Sequence, residues 1–240
     1  MTEIHDTPIQ QLDLVTDLYT RYGADLVRVQ AAQRALYPTL AGYPMFGDRE
    51  GEWLYLFTRL LGESGPVTAL EVGAGCGWSS SWMLRGLEDN QAGHLTSVDV
   101  AVPTSKSLHA ISQARWTFLQ RNVLTCLGDL PHRVDLLLID ASHDSPTVEQ
   151  IHAAIRPVCR PGGITAVHDI YMLPHPRHSE AICIFAHLEA IGVRPFSPSP
   201  CFPDAWEAIS HVRSAIGVGP NIHINEINSS LWYRVPTEGA

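Results

Sequence analysis

Residues 67–80 contain the residue types best suited to binding a charged small molecule. An apolar run ends at Glu71 and continues as Glu-x-Gly-x-Gly-x-Gly, with glycines at 73, 75 and 77. Glycines in a strand-to-helix turn let the backbone approach a ligand closely, because no Cβ stands in the way. The N–H groups that begin the next helix also face that ligand. Since the spacing differs from the Gly-x-Gly-x-x-Gly turn that binds a pyrophosphate, it predicts another kind of ligand, with a cationic group for the carboxylate to face.

Polar side chains end the next two β-type runs. The run 94–99 ends in Asp99, and a carboxylate there can accept hydrogen bonds from both hydroxyls of a ribose, or alternatively cap the following helix. The run 116–121 is followed by Asn122, whose amide oxygen can accept a hydrogen bond. Because ligands of doubly wound sheets lie at the carboxyl ends of the strands, both side chains are candidates for one nucleoside site.

Acids and histidines end the last two β-type runs. Asp140 ends Val-Asp-Leu-Leu-Leu-Ile-Asp and is followed by His143, while His168 and Asp169 end the run that begins at Pro-Gly-Gly. Carboxylates at these positions could instead make only structural hydrogen bonds, and His143 could be an ordinary satisfied histidine. Their shared position at strand ends favours a site that moves a proton or binds a cation.

The glycine motif and the order of the later segments resemble class I S-adenosylmethionine (SAM)-dependent methyltransferases. The resemblance implies that the glycine loop lies against the methionine part of SAM, that Asp99 holds the ribose and that Asn122 lies near the adenine. The implied SAM-binding residues are Glu71, Gly73, Ala74, Gly75, Gly77, Trp78, Ser79, Asp99, Asn122 and Asp140.

Ile-Asp-x-x-His and Pro-Gly-Gly-x-x-x-x-His-Asp resemble the subgroup of macrolide and aminocoumarin sugar O-methyltransferases and cephalosporin-type tailoring methyltransferases. That resemblance implies Mg²⁺ on Asp140 and Asp169, with His143 as the catalytic base beside Asp140. His168 is the third candidate metal ligand. It stands where several of these relatives have a second acid, and an imidazole is a poor partner for a hard ion that prefers oxygen.

The acidity of the acceptor decides how much a metal is needed. An aliphatic hydroxyl has a pKa near ~15.7 and a histidine titrates near ~6.5, so full proton transfer is uphill by roughly 12 kcal/mol. A cation that lowers the pKa of the hydroxyl closes much of that gap. A phenol, with a pKa near ~10, could react with His143 alone.

Strand-like and helix-like segments alternate, which predicts an α/β fold with a doubly wound, mostly parallel, Rossmann-like sheet. Strands are predicted near 67–72, 94–100, 115–121, 133–140 and 163–169, and helices near 48–61, 78–89, 104–113, 145–158, 180–191 and 205–216. Short segments at 221–224 and 231–235 predict an antiparallel C-terminal strand pair. Residues 1–45 are predicted to be a helical extension that acts as a lid or an oligomer contact, and residues 46–240 the methyltransferase domain.

Composition excludes several functional classes. The 240 residues carry a net charge of −9 with only 16 scattered lysines and arginines, so no basic face for nucleic acid is expected. No targeting or membrane-spanning segment is recognisable. Five cysteines without paired spacing indicate free thiols in a reducing cytoplasm.

The sequence therefore predicts a cytoplasmic enzyme that transfers the SAM methyl group to a hydroxyl of a small molecule, such as a natural product or a sugar, with a divalent ion. Two alternatives stay open: a metal-independent N- or phenol-O-methyltransferase, and a catalytically silent SAM-binding domain. A homodimer is compatible with the sequence.

Overall fold

The computed structural model describes residues 9–40, 42–101, 108, 111, 113–141, 143, 146–171, 179–223 and 230–237. The strands are β1 (Thr68–Val72), β2 (His94–Asp99), β3 (Trp116–Gln120), β4 (Val134–Ile139), β5 (Cys159–Val167) and β6 (Leu231–Arg234). The helices are α1 (Ile9–Arg21), α2 (Gly23–Leu36), α3 (Asp48–Gly62), α4 (Trp78–Asp89), α5 (Thr147–Ile155), α6 (Ser179–Ala190) and α7 (Pro203–Ala215).

All six strands form one sheet in the order β3-β2-β1-β4-β5-β6. The first five strands are parallel to their neighbours, and β6 pairs antiparallel with β5. The predicted fold class, with its antiparallel C-terminal pair, is confirmed. The order reverses between β1 and β4, so a crevice opens beside their carboxyl ends.

The antiparallel pair is built differently from the prediction. Residues 221–223 lie outside the sheet, and the pair consists of β5 and β6. The backbone N–H of Ile222 donates to the carboxylate of Asp48 at the start of α3, so this segment is directed towards that helix and not along the sheet edge. Most of the predicted helix 104–113 lies outside the described residues.

The central strands β1, β2 and β4 are buried on both faces, as a parallel sheet with crossover helices requires, whereas the edge strand β3 is only partly buried. Along β4, Leu136 and Leu138 belong to one apolar cluster while Leu137 and Ile139 belong to the other. The alternation follows the two-residue period of a strand. Within the described ranges, no helix is both long and apolar enough to cross a membrane.

Helices α1 and α2 share the apolar cluster that covers one face of the sheet, through residues such as Leu18 and Leu26. A buried ion pair adds to this packing. Arg213 of α7 donates to Glu52 of α3 from Nε and from Nη2, at 2.8 Å each, and the Tyr19 hydroxyl of α1 donates to the same carboxylate at 2.7 Å. The N-terminal helices are thus joined to the helices that cover the sheet.

We predict that Arg213→Met lowers the free energy of unfolding by about 3–5 kcal/mol, because it leaves the Glu52 carboxylate buried without its cation. Adding Glu52→Gln should recover much of that loss, since the amide is neutral and can still pair with Tyr19. Urea denaturation of the wild type, both single variants and the double variant measures this. A double variant no more stable than Arg213→Met would contradict it.

Candidate functional site

The turn between β1 and α4 has the backbone geometry that its glycines allow. Gly73, Gly75 and Gly77 have φ values of 92°, 51° and 87°, a region that residues with a Cβ rarely adopt. A Cβ at Gly73 would lie 1.6 Å from the carbonyl oxygen of Asp140, so the turn passes directly over the end of β4. Only glycine fits at this crossing.

Glu71 lies beneath the turn and is fully buried. Its carboxylate accepts hydrogen bonds from the hydroxyls of Ser79, Ser80 and Ser97 at 2.6, 2.5 and 2.5 Å. Burial raises the pKa of Glu71 to about 7, although the three hydroxyl donors oppose the shift. The carboxylate therefore ties α4 and β2 to β1 from within the core.

Asp99, at the end of β2, contacts the same turn from the cavity side. Its Oδ2 accepts the backbone N–H groups of Ala74 and Gly75, both at 2.8 Å, and its Oδ1 accepts that of Ala101 at 2.9 Å. A ligand hydroxyl can reach this carboxylate, because Asp99 lines the neighbouring cavity.

The cavity, of about 240 Å³, lies beside the switch point of the sheet. Most of the predicted site residues line it, together with residues 43–46, which precede α3 and were not among the predicted site residues. The lining is Tyr43, Pro44, Met45, Phe46, Gly73, Ala74, Gly75, Cys76, Trp78, Ser79, Asp99, Asp140, His143 and Asp169. A larger open groove of about 590 Å³ between α2 and residues 217–220 has no acid or histidine in its lining.

Four predicted site residues do not line the cavity: Glu71, Gly77, Asn122 and His168. Gly77 is the residue immediately before α4. The side chain of Asn122 accepts the backbone N–H of Leu124 at 3.0 Å and caps a short turn after β3. This local hydrogen bond is sufficient to account for an amide side chain at position 122, and no ligand contact is needed to explain it.

Asp140 and Asp169 follow the neighbouring strands β4 and β5. The backbone hydrogen bonds between β4 and β5 continue past the ends of these strands, because the N–H of His168 donates to the carbonyl of Ile139 at 2.9 Å. This pairing brings the two aspartates together. Asp169 has a φ of 58°, a left-handed conformation that aspartate tolerates better than most residues. One donor atom each of Asp140, His143 and Asp169 lies within 4.8 Å of the others, an arrangement that could hold a metal ion.

His143 lies between two carboxylates. Its Nε2 is 3.2 Å from Asp169 Oδ2, and its Nδ1 is 2.5 Å from Oε2 of Glu180 in the first turn of α6. Burial lowers the pKa of this imidazole, but the hydrogen bonds to Asp169 and Glu180 outweigh it and raise the pKa to about 10. Without a bound cation, His143 therefore carries a proton at neutral pH.

His168 lies behind the two aspartates and is fully buried. Its Nδ1 is 3.1 Å from Asp140 and 3.2 Å from Asp169, while its Nε2 is 3.6 Å from Oε2 of Glu50. Burial lowers the pKa of the ring, but the charges of Asp140 and Glu50 raise it well above its usual value. Phe46 covers the ring, with centroids 4.9 Å apart.

Sequence reasoning missed Glu50 and Glu180. Both are acids in the first turn of a helix, where an acid is common because it complements the helix dipole. Nothing local distinguishes them from ordinary first-turn acids. Their contacts with His168 and His143 appear only when distant segments come together.

Comparison with known proteins agrees with this geometry. Residues 70–170 match the family model of a methyltransferase domain. A provisionally named O-methyltransferase of Mycobacteroides abscessus is 34% identical over an alignment of 128 residues that covers 49% of this chain and 55% of that protein. The chain therefore spans only about half the length of the relative that it matches.

Solved structures share the fold at low identity. The O-methyltransferase TomG of Streptomyces achromogenes, solved with SAM and involved in tomaymycin synthesis, has a TM-score of 0.54 at 16% identity, over 98% of this chain and 94% of TomG. An O-methyltransferase of Bacillus cereus, solved with S-adenosylhomocysteine, has a TM-score of 0.53 at 16% identity, over 88% of this chain and 89% of that protein.

We predict that Glu71→Gln becomes more stable relative to wild type as the pH rises. The pKa of Glu71 is about 7 when folded, against an ordinary value of 4.5. A group whose folded pKa is raised contributes stability that is complete below the unfolded pKa and is lost as the pH rises through the folded one. Between pH 4.5 and 8 the difference in free energy of unfolding between Glu71→Gln and wild type should change by up to roughly 3 kcal/mol.

Denaturant titrations at pH 5 and pH 8 measure this change. Glu207→Gln, at an exposed position on α7, controls for the loss of one negative charge. If the difference in free energy of unfolding between Glu71→Gln and wild type stays constant with pH, the assignment of a buried, pH-sensitive carboxylate beneath the turn is contradicted.

Proposed function

We propose that this chain is a class I SAM-dependent O-methyltransferase that acts on a small-molecule hydroxyl. The match of residues 70–170 to a methyltransferase-domain family supports the proposal. The observation that carries the proposal is the lining of one cavity. The glycine turn and Asp99, suited to a nucleoside cofactor, meet Asp140, His143 and Asp169, suited to activating an acceptor. Methyl transfer requires both sets in one place.

In this proposal SAM lies along the turn, with its ribose on Asp99 and its methionine part beside Gly73, Gly75 and the N-terminus of α4. The N–H groups and positive end of that helix favour the carboxylate of SAM. Glu71 acts through Ser79 and Ser80, by holding the start of α4 in place beneath the cofactor. Its role is to shape the turn.

The acceptor hydroxyl is proposed to approach His143, which takes the proton at Nε2 while the oxygen attacks the methyl carbon in line with the departing sulfur. Alignment of oxygen, carbon and sulfur supplies much of the rate, because good orientation is worth about 7–11 kcal/mol. Tyr43, Met45 and Phe46 line the cavity and are placed to exclude water from the reacting atoms.

A divalent cation fits the site, because Asp140 and Asp169 offer carboxylate oxygens at adjacent strand ends within reach of each other. We propose that these two aspartates hold it and that His168 supports them from the buried side. When bound, the cation would lower the pKa of the acceptor hydroxyl.

One observation favours the metal-independent alternative. The two carboxylates beside His143 raise its pKa to about 10, which matches the pKa of a phenol, near ~10. A phenolic acceptor could then give its proton to His143 without a metal, once the imidazole has lost its own proton. Such an enzyme would become more active as the pH rises towards 10.

Transfer itself is tested by incubating the purified chain with methyl-labelled SAM and a panel of catechols, phenols and sugar alcohols, in Mg²⁺, Mn²⁺ or chelator. The expected result is S-adenosylhomocysteine release together with label on an acceptor. Tight SAM binding with no labelled acceptor, in this panel and in an extract of the source cells, would favour the silent SAM-binding domain. The acceptor is proposed to be a small molecule, and the enzyme to work in the cytoplasm.

We predict that Asp99→Asn weakens SAM binding roughly tenfold or more, because a charge-assisted hydrogen bond to the ribose is worth about 1.5–3 kcal/mol. The amide keeps one oxygen for the N–H groups of Ala74 and Gly75, so the turn is retained. Calorimetry with S-adenosylhomocysteine measures the change. Unchanged affinity would remove Asp99 from the ribose site.

We predict that Asp140→Asn and Asp169→Asn abolish cation binding while SAM still binds. Asparagine is the suitable replacement at 169 because it also tolerates the left-handed backbone. Chelator should stop transfer by the wild type, and added Mn²⁺ or Mg²⁺ should restore it. Full turnover in chelator, with normal turnover by Asp140→Asn, would select the metal-independent alternative.

A further inference from the structure

We propose that Glu180 is a positioning residue that orients His143 for proton transfer, through a buried chain that runs from His152 to the cavity. The proposal rests on the proposed function, because His143 is the base only if methyl transfer occurs. Glu180 does not line the cavity and is assigned no direct contact with substrate.

Both oxygens of Glu180 are engaged by imidazoles. Oε2 lies 2.5 Å from Nδ1 of His143, and Oε1 lies 2.8 Å from Nε2 of His152 on α5. The side chains of Glu180 and His152 are fully buried, whereas that of His143 is 32% exposed. The chain therefore begins in the core and ends at the cavity.

This arrangement fixes which nitrogen of His143 faces the reaction. An ionised carboxylate only accepts hydrogen bonds, so Nδ1 of His143 must carry a proton to pair with Glu180. Nε2 is then the nitrogen that would take the acceptor proton, in exchange for its present contact with Oδ2 of Asp169 at 3.2 Å. A carboxylate that holds the second nitrogen of a base in this way sets both its tautomer and its orientation.

His152 holds Glu180 in turn. Its Nδ1 is buried with no hydrogen-bond partner among the described residues, so the ring pairs through Nε2 alone. Donation from His152 and the positive end of α6 both stabilise a carboxylate at position 180. Glu180 is thus fixed from two elements, α5 and α6, before it reaches His143.

The alternative is that Glu180 only stabilises the packing of α5 against α6. A structural role predicts that its loss lowers stability and leaves turnover of the folded enzyme unchanged. A positioning role predicts a loss of turnover that depends on His143. The two differ most clearly in a double-mutant cycle.

The experiment compares Glu180→Gln, Glu180→Leu, His143→Ala and the double variant His143→Ala/Glu180→Gln. We expect Glu180→Leu to lower kcat by roughly 10²–10³-fold, within the range for loss of general-base function, with the KM for SAM nearly unchanged. Glu180→Gln should be partly active, because its amide oxygen can still accept from Nδ1. In the His143→Ala background, Glu180→Gln should have no further effect on kcat.

Glu52→Gln is the control variant. It removes another buried carboxylate, outside the cavity, and should lower stability without lowering kcat.

Proton NMR gives a readout that needs no turnover. The strongly hydrogen-bonded Nδ1 proton of His143 should give a low-field resonance that disappears in His143→Ala and shifts upfield in Glu180→Gln. Wild-type kcat in Glu180→Leu, or additive losses in the double variant, would overturn the positioning role. If the wild type transfers no methyl group, the proposed function fails. Independently of turnover, a resonance that is unchanged in Glu180→Gln would overturn the hydrogen bond between Glu180 and Nδ1 of His143.

Discussion

The site depends on how two neighbouring carboxylates, Asp140 and Asp169, are kept together at the ends of β4 and β5. Like charges whose oxygens lie within 4.8 Å of each other repel. The structure compensates with imidazoles on two sides, His143 towards the cavity and His168 towards the core. Each imidazole is paired in turn with a buried glutamate, Glu180 or Glu50.

This compensation determines where the surrounding helices must lie. Glu180 requires the first turn of α6 beside His143, and Glu50 requires the first turn of α3 behind His168. Glu50 also accepts the backbone N–H groups of Gly47 and Ser230, so it connects the site to the segment before α3 and to the start of β6. Residues 43–46, which line the cavity, lead directly into this helix.

The sequence predicts the main elements because the signals for them are local. Glycines at 73, 75 and 77 and an acid at 71 identify the turn, and the apolar runs that end in Asp99, Asp140 and Asp169 identify the strands. It misses Glu50, Glu180 and the lining at Tyr43–Phe46, because these contacts join segments far apart in the chain. It also cannot distinguish Glu71 in contact with a ligand from Glu71 held by three serine hydroxyls, since that depends on which way the side chain turns.

A crystal structure of the chain with S-adenosylhomocysteine and Mn²⁺, with the ion located by its anomalous scattering, is the most direct test of the proposed site. We expect the ribose on Asp99, the sulfur directed towards His143, and the ion between Asp140 and Asp169. S-adenosylhomocysteine bound elsewhere, or a cavity in which its sulfur points away from the carboxylate pair, would contradict the claim that cofactor and acceptor meet here.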